Sequence, residues 1–243
     1  MTVGGIRGVI LAGGAGSRLF PLTKVTNKHL LPMGKRPMII HSVKKLVSAG
    51  VKEIMVITGT EHMGDMITLL GSGYEYDCNF TFRVQDRPDG IAGALSLCED
   101  FAAKDPIVVI LGDNIFESSL DEMIEKFNRR DKKKKTCLLC LKEVKDPKRF
   151  GVPLIKDRNI VKIIEKPVSP PTNYCVTGIY VYDSHVFEFI RNLKVSDRGE
   201  YEITDVNNTY IKEGHAMSHI LQGWWSDAGT HESYHKANEL ILQ

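Results

Sequence analysis

The sequence predicts an α/β fold in which a mixed, mostly parallel sheet carries helices on both faces. Three observations predict it: short β-branched runs recur along the chain, segments with helical spacing separate them, and glycine-rich or polar residues follow several of the runs. Strands that alternate with helices are joined by right-handed crossovers, which place the helices on the two faces of the sheet.

Five apolar runs in the first 141 residues are predicted to be buried strands. Each is five or six residues long and rich in β-branched or aliphatic side chains, as strands covered on both faces usually are. They are GVILA (8–12), EIMVIT (53–58), FTFRV (80–84), IVVIL (107–111) and TCLLCL (136–141).

Four segments between these strands carry helix signals. Pro37 favours the first turn of a helix, Gly50 favours its end, and Ser118 with Ser119 precede another helical segment. The predicted helices are PMIIHSVKKLVSAG (37–50), HMGDMITLLG (62–71), IAGALSLCEDFA (91–102) and SLDEMIEKFNRR (119–130).

After Arg149 the alternation becomes less regular, which indicates a second half on the same sheet. The strands expected in this half are 151–155, 160–166 and 174–183. The expected helices are 184–193, 203–214 and 230–243. Thr230 is the predicted cap of the last helix. We therefore expect a single domain over residues 1–243, with halves of about 1–135 and 136–243.

The composition limits the class of protein. A chain of 243 residues can bury a large core without disulfides or metals. Its formal net charge of +2 favours neither nucleic acid nor a membrane surface as a partner, and no apolar stretch approaches the roughly 20 residues that span a bilayer. Five cysteines at irregular spacing indicate free thiols in a reducing cytoplasm.

The glycine-rich segment GGAGSR (13–18) follows the first predicted strand. A dinucleotide-binding G-x-G-x-x-G would need a glycine where Leu19 stands, and no G-K-S/T follows for a Walker loop. Taken alone, the segment is explained equally well as a glycine turn with a surface arginine. Arg18 and Lys28 add two cations beside exposed backbone amides, a combination suited to binding a polyphosphate.

Charged residues also follow later strands. Asp113 ends the most apolar strand in LGDN, where an Asx turn is an equally good interpretation of it alone. Asp227 lies in WWSDAGT. Two carboxylates that a fold brings together usually share a proton or a cation, and beside a triphosphate the cation would be magnesium. Glu165 and Lys166 end a strand in IIEKP, which alone favours a simple ion pair.

Three further patterns are interpreted as structural. HESYH (231–235) satisfies the H-E-x-x-H pattern of zinc proteases, but only eight residues follow it, so a solvated helix is favoured over a zinc site. Cys137 and Cys140 of CLLC would point to opposite faces of a strand, which favours core packing. RRDKKKK (129–135) lacks interleaved aromatic residues and is interpreted as a solvated connection.

With these residues together, the sequence resembles the sugar nucleotidyltransferases and, within them, the glucose-1-phosphate thymidylyltransferases. The motifs occur in the family's order nearly from end to end: LAGGAGSRLFPLT, NKHLLP, RVQDRPDGIAGAL, VILGDNIF, RFGV, EKP, NYCVTGIYVYD, RGEYEITDVN and WWSDAGT. LAGGxGxRL and EKP are shared widely among sugar-nucleotide pyrophosphorylases, whereas VILGDNIF and RGEYEITDVN are more particular to thymidylyltransferases.

The resemblance implies a Rossmann-like fold of the nucleotide-diphospho-sugar transferase type, with a nucleotide-binding half followed by a sugar-binding half. It implies that a phosphate oxygen of glucose 1-phosphate attacks the α-phosphorus of dTTP, so that dTDP-glucose forms and pyrophosphate leaves. It further implies Mg²⁺ as cofactor, a homo-oligomer (dimer or tetramer), and a place in dTDP-deoxysugar synthesis of the rhamnose type.

The resemblance also implies roles for particular residues. Arg18 would steady the triphosphate and the leaving group, Lys28 would contact the phosphates, and Lys166 would orient the sugar phosphate. Asp113 and Asp227 would hold magnesium. The remaining contacts would come from Leu11, Gly13, Gly14, Gln85 and Gly90 for the nucleotide, and from Asn114, Gly151, Glu165 and Val176 for the sugar.

The chain departs from the family's pattern at His29 and Gly93, where many relatives carry glutamine. Because the first of these positions lies near the ribose in the family, the departure bears on the preference for dTTP over UTP. Three alternatives stay open: a related transferase that uses UTP or another sugar, a nucleotide-sugar sensor without catalysis, and a zinc hydrolase that uses HESYH. A sensor would normally have lost part of the charged set, which is complete here.

Overall fold

Residues 5–243 are described by the computed structural model. The strands in this range, numbered in chain order, are β1 Arg7–Ala12, β2 Pro32–Met33, β3 Arg36–Pro37, β4 Glu53–Gly59, β5 Asn79–Gln85, β6 Ile107–Leu111, β7 Asn114–Phe116, β8 Cys137–Glu143, β9 Gly151–Lys156, β10 Asn159–Glu165, β11 Tyr174–Tyr182, β12 Ala216–Ile220 and β13 Trp225–Asp227.

The helices of the same range lie within the predicted segments, although segment 91–102 contains two. They are α1 Met38–Ser48, α2 Met63–Leu70, α3 Ile91–Ser96, α4 Glu99–Ala102, α5 Asp121–Asn128, α6 Val186–Arg191, α7 Ile203–Lys212 and α8 His231–Leu242. Short 3-10 turns lie at Ser17–Leu19, Lys28–Leu30 and Tyr74–Tyr76. Among residues 5–243, none of the helices combines the length and the apolar character that crossing a membrane requires.

One nine-stranded sheet includes strands from both halves of the chain, in the order β10-β9-β11-β6-β1-β4-β5, with β8 paired to β11 and β12 to β8. The strands β6, β1, β4 and β5 are parallel, and β11 runs antiparallel to β6. The chain goes from β1 to β4 and β5 on one side and then returns to β6 on the other side of β1. This reversal makes a topological switch point at the carboxyl ends of β1 and β6, where open α/β sheets bind ligands.

The central strands separate two apolar layers, because successive side chains of a strand point to opposite faces. Ile10 packs in the layer formed with α1, α2 and α5, whereas Val9 and Leu11 pack in the layer formed with α3, α4, α6 and α7. The predicted placement of helices on both faces is confirmed. Cys140 lies in the first layer and Cys137 in the second, so the two thiols of CLLC do point to opposite faces.

The structure differs from the prediction mainly at the edges of the sheet. FTFRV is not a buried strand, because β5 pairs only with β4 and no residue of it is fully buried. Segment 91–102 forms the two short helices α3 and α4 rather than one. The prediction misses β12, which is half-buried, and the ribbon of β7 with β13, whose partners lie far apart in the chain.

Candidate active site

Two adjoining cavities open at the switch point. The first, of about 370 Å³, lies over the carboxyl end of β1, and the second, of about 450 Å³, extends from the end of β6 toward β9 and β11. Arg18, Ile91, Leu111 and Asp113 line both cavities and therefore form the boundary between them. Two ligands bound side by side would meet at this boundary.

The structure brings every residue of the predicted site to one of these cavities. The first cavity is lined by Leu11, Gly13, Gly14, Gln85, Gly90, Arg18 and Lys28. The second cavity is lined by Asn114, Gly151, Glu165, Lys166, Val176 and Asp227. Residues far apart in the sequence thus converge because the strands and loops that carry them meet at the same end of the sheet.

The glycine-rich loop after β1 is fixed by a tight turn rather than by a helix. Gly16 adopts a left-handed backbone with φ of +66°, and a Cβ there would lie 2.8 Å from Thr23 Cγ2. Thr23 Oγ1 donates to the carbonyl of Gly16 at 2.9 Å. Leu19, where a dinucleotide fingerprint would have glycine, is fully buried and anchors the turn. Arg18 beside it then lines both cavities.

Asp113 forms an ion pair with Lys28, whose Nζ lies 2.5 Å from Oδ2. Burial pushes the pKa of Asp113 upward, but the charge of Lys28 and the hydrogen bonds from Lys28 and Asn114 outweigh it, so this pKa lies well below its usual value. The Asn114 amide donates to Oδ1 of the same carboxylate at 3.0 Å. Asp113 is therefore held as a charged group at the boundary.

Asn114 is an organising residue whose amide contacts three other parts of the site. Its Oδ1 accepts from the Gly178 N–H at 2.9 Å and from Trp225 Nε1 at 2.8 Å. Gly178 is needed here, since a Cβ at that position would lie 2.6 Å from Asn114 Nδ2. These contacts tie β7, β11 and β13 together behind Asp113.

Asp227 ends β13 directly opposite Asn114 of β7 in the paired ribbon. Arg149 Nη2 donates to both of its oxygens, at 2.9 and 3.1 Å. Burial raises the pKa of Asp227, the Arg149 charge opposes this rise, and the nearby charge of Asp113 adds to it. Asp113 and Asp227 both line the second cavity, so the two carboxylates face the same space.

The two aspartates fit a divalent cation that completes its coordination from elsewhere. Within residues 5–243 no group of three or more histidine, cysteine or acidic side chains is arranged to hold a metal. Mg²⁺ is commonly bound by one or two carboxylates together with substrate phosphates and waters. Asp113 and Asp227 supply that number of protein ligands.

Glu165 lies at the end of β10 in the second cavity. Its Oε2 accepts from Thr204 Oγ1 at 2.7 Å, while its Oε1 lies 3.6 Å from Lys166 Nζ and from Arg198 Nη2. Lys166 has a left-handed backbone with φ of +43°, and its N–H donates to the carbonyl of Phe150. The carboxylate is thus held by one hydroxyl and flanked by two cations.

Sequence reasoning did not single out several residues that shape the site. Arg149 lies within the motif RFGV and Arg198 within RGEYEITDVN, so membership of these motifs could have pointed to both residues. Thr204 lies in RGEYEITDVN and Asp89 in RVQDRPDGIAGAL, so the same signal was available for them. A motif does not record which side chains meet, so their contacts with Glu165 and Gln85 appear only in the structure.

His29 lines the first cavity and is 1% exposed. Burial, together with the charge of Lys28, lowers its pKa to about 3, so the ring is neutral at physiological pH. Its Nδ1 lies 2.7 Å from Asn27 Oδ1, an atom that also accepts from the His29 backbone N–H. Because an amide oxygen only accepts, Nδ1 carries the proton and Nε2 is left as an acceptor.

HESYH occupies the first turn of α8, which Thr230 and Ser233 cap reciprocally as a capping box. The predicted cap at Thr230 is therefore confirmed. His231 Nε2 lies 2.9 Å from the carbonyl of Phe20, so this ring contacts the loop after the glycine-rich segment. The histidine is engaged in a tertiary contact of the helix.

The nucleotidyl transferase family matches residues 7–243. A low-salt glycan biosynthesis nucleotidyltransferase of Haloferax volcanii, Agl11, is 39% identical over 98% of this chain and 66% of its own length. The glucose-1-phosphate thymidylyltransferase of Neisseria meningitidis is 38% identical over 97% of this chain and 82% of its own length. The chain thus spans just under two thirds of the first relative and about four fifths of the second.

Two solved structures are also similar to this chain over nearly its whole length. A crystal structure of a candidate glucose-1-phosphate thymidylyltransferase from Bacillus anthracis, in complex with a sucrose, superposes with a TM-score of 0.92 at 54% identity and covers 97% of this chain and 94% of its own. A UDP-glucose pyrophosphorylase complexed with UDP-glucose superposes with a TM-score of 0.85 at 23% identity over 98% of both chains, which shows a common fold. The chain belongs to the nucleotidyl transferase family.

Proposed function

We propose that this protein transfers a thymidylyl group from dTTP to α-D-glucose 1-phosphate and releases pyrophosphate. The observation that carries the proposal is the boundary formed by Arg18 and Asp113 between two cavities of suitable size. The relatives named glucose-1-phosphate thymidylyltransferase support this choice of substrates.

The first cavity suits a nucleoside triphosphate. Leu11, Ile91 and Ala94 offer apolar surface to a base, and Gln85 offers an amide. The glycine-rich loop lets backbone N–H groups approach phosphates, since Gly13 and Gly14 have no side chain in the way. Arg18 and Lys28 supply the positive charge that a triphosphate requires.

The second cavity suits a sugar phosphate. Glu165 can accept hydrogen bonds from sugar hydroxyls, because Thr204 occupies only part of its capacity. Gly151 leaves room beside this carboxylate: a Cβ there would lie 3.1 Å from Ile163 Cγ2 and 3.4 Å from Glu165 Oε2. Lys166 then provides a cation for the phosphate.

Mg²⁺ would be held by Asp113 and Asp227 together with phosphate oxygens. When bound, it would neutralise charge on the reacting phosphates. Lys28 and Arg149, which pair with these two carboxylates, would at the same time be free to turn toward phosphate oxygens.

The reaction needs positioning and charge rather than a protein nucleophile. An oxygen of the sugar phosphate attacks the α-phosphorus of dTTP, a new P–O bond forms, and the bond to the pyrophosphate oxygen breaks. Arg18 lies at the boundary and stabilises the negative charge that moves to the leaving group. The adjoining cavities would bring the two reactants together at this boundary.

The cellular role follows from the product. We infer that dTDP-glucose made in the cytoplasm supplies dTDP-deoxysugar synthesis of the rhamnose type. The five free, buried cysteines of the described chain are compatible with a reducing compartment. We further propose assembly as a homodimer or homotetramer, which light scattering of the purified protein tests.

The decisive experiment measures pyrophosphate release. The protein is incubated with Mg²⁺, glucose 1-phosphate and dTTP, UTP, CTP, ATP or GTP in turn, with reactions lacking the sugar phosphate as controls. We expect release with dTTP above all others. Release with none of the five would overturn the proposed function, and a clear preference for UTP or another triphosphate would overturn only the choice of nucleotide.

A further inference from the structure

We propose that Asp89 is a positioning residue for base recognition: its carboxylate, seated over Gly93, holds the amide of Gln85 with the oxygen toward the base. The assignment rests on the proposed function, because it takes the first cavity as the site of a nucleoside triphosphate. It gives this site a preference for bases that carry an N3–H, such as thymine and uracil, over cytosine.

The nitrogen of the Gln85 amide has two acceptors. Nε2 donates to Asp89 Oδ1 at 2.6 Å and to the carbonyl of Gly90 at 3.2 Å. A carboxylate only accepts hydrogen bonds, so the end of the amide that faces Asp89 must be the nitrogen. Bonds to a charged acceptor are also roughly twice as strong as neutral ones. The chemistry of its partner therefore fixes which way this amide points.

The oxygen of the same amide faces the glycine-rich loop. A Cβ built on Gly13 would lie 3.2 Å from Gln85 Oε1, and both residues line the first cavity. Among the hydrogen bonds of residues 5–243, Oε1 accepts none. It is an acceptor presented to whatever occupies the cavity.

Gly93 allows Asp89 to take its position. A Cβ on Gly93 would lie 2.6 Å from Asp89 Cγ, closer than two carbon atoms can approach. The backbone of Asp89 is held independently, since its carbonyl accepts from the Tyr201 N–H at 2.7 Å and its own N–H donates to Arg87 at 2.8 Å. The carboxylate thus packs onto α3 and reaches Gln85 because the helix has no side chain there.

An oriented acceptor distinguishes pyrimidines by the hydrogen at N3. Thymine and uracil donate from N3–H to such an oxygen. Cytosine presents an unprotonated N3, so two acceptors would face each other and both would lose the bonds they make in water. A freely rotating glutamine amide would serve either base, which is why the orientation matters for the choice.

The test measures the dissociation constants of dTTP and dCTP by titration calorimetry with Mg²⁺ and without sugar phosphate. Asp89→Ala removes the carboxylate, and Gly93→Ala inserts a methyl group where the carboxylate lies. We expect each to reduce the preference for dTTP over dCTP by about tenfold, the worth of one hydrogen bond. Asp89→Asn presents an N–H donor as well as an acceptor, so the amide of Gln85 can turn over and the preference should fall here too.

The controls separate positioning from a structural effect. Asp86→Ala removes an exposed carboxylate from the same turn and should leave the preference unchanged. Gly93→Ala places a better helix former in α3. The melting temperature of this variant should therefore not fall, whereas its preference for dTTP over dCTP should. The double variant Asp89→Ala/Gly93→Ala should be no worse than either single variant, because both act on one contact.

An unchanged preference in Asp89→Ala, or an equal loss in Asp86→Ala, overturns the assignment. Additive losses in the double variant also overturn it, since they place the two residues in separate effects. A wild-type protein that binds neither nucleotide overturns the proposed function and this assignment together. One that binds and turns over dTTP, with a preference insensitive to Asp89, overturns this assignment alone.

Discussion

Lys28 and Asp113 form a largely buried ion pair at the boundary between the two cavities, with 13% and 14% of their side chains exposed. Oδ2 of the carboxylate faces the ammonium, and Oδ1 faces the amide of Asn114. The pair joins the residue proposed to contact the triphosphate to a residue proposed to hold the metal. Its stability and the chemistry of the site are therefore linked.

Removal of Lys28 should destabilise the protein. Breaking a buried ion pair by removing one partner typically costs about 3–5 kcal/mol, so we expect Lys28→Met to lower the free energy of unfolding by about 3 kcal/mol. The double variant Lys28→Met/Asp113→Asn should lose less free energy of unfolding than Lys28→Met, because no uncompensated charge remains. Urea denaturation at pH 7.5 measures both.

The exposed pair of Lys52 with Asp77 is the matched control for this experiment, because these side chains are 45% and 88% exposed. Exposed pairs contribute about 0–1 kcal/mol, so Lys52→Met should change the free energy of unfolding by less than that. A similar loss in Lys52→Met and Lys28→Met would contradict the importance given to burial.

Arg149 should compete with a divalent cation for Asp227. In the structure Arg149 Nη2 lies 2.9 Å from the carboxylate, so the guanidinium and a metal ion would compete for the same oxygens. We expect Arg149→Met to bind Mn²⁺ several-fold more tightly without substrates at pH 8, as measured by electron paramagnetic resonance of free Mn²⁺. Arg191→Met, which removes a partner of exposed Glu99, should bind Mn²⁺ as the wild type does. Weaker binding in Arg149→Met would show that Arg149 organises the carboxylate rather than blocks it.

Continuous apolar runs predicted the central strands well, because a strand that is buried on both faces has apolar residues at successive positions. IVVIL coincides with β6, and GVILA differs from β1 by one residue. The edge strand β12 has no such signature, since all its residues remain partly or fully exposed. The ribbon of β7 with β13 depends on pairing between remote residues, which no local pattern records.

Motifs predicted which residues reach the site but not which contacts fix them. Asp113 and Asp227 were expected together, and their approach follows from Asn114 and Asp227 being paired across the ribbon. The cations that neutralise them, Lys28 and Arg149, are placed by the folded arrangement of four distant segments. A sequence shows the ionisable groups, whereas their partners appear only when the strands are assembled.

Thr204 should act on sugar binding through Glu165. Thr204→Val removes the hydroxyl that donates to Glu165 Oε2 at 2.7 Å, so the carboxylate loses a fixed orientation. We expect KM for glucose 1-phosphate to rise about tenfold while KM for dTTP stays unchanged. Thr204→Ser should restore the wild-type value. Thr209→Val, on the same helix but bonded to a backbone carbonyl, is the control, and an equal rise there would indicate a general effect on α7.

His29 should make the folded state less stable at mildly acidic pH. Its pKa is about 3 in the folded protein because of burial, against 6.5 when unfolded. The unfolded chain therefore binds a proton between these values that the folded protein does not, and stability falls as pH decreases below about 6.5. At about 1.4 kcal/mol per pH unit, lowering the pH from 7.5 to 5 should cost wild type about 2 kcal/mol more than His29→Gln.

This loss is measured as a difference between two proteins, so contributions of the other titrating groups cancel. Asp113 does not interfere, because its depressed pKa contributes stability that is lost only as pH falls through the acidic range below the usual carboxyl value. Urea denaturation of wild type and His29→Gln at pH 7.5, 6 and 5 should give curves that converge as the pH decreases. Parallel curves would mean that the imidazole becomes protonated in the folded state, and would place His29 in a wetter, more exposed environment than its contacts with Asn27 and Gly112 indicate.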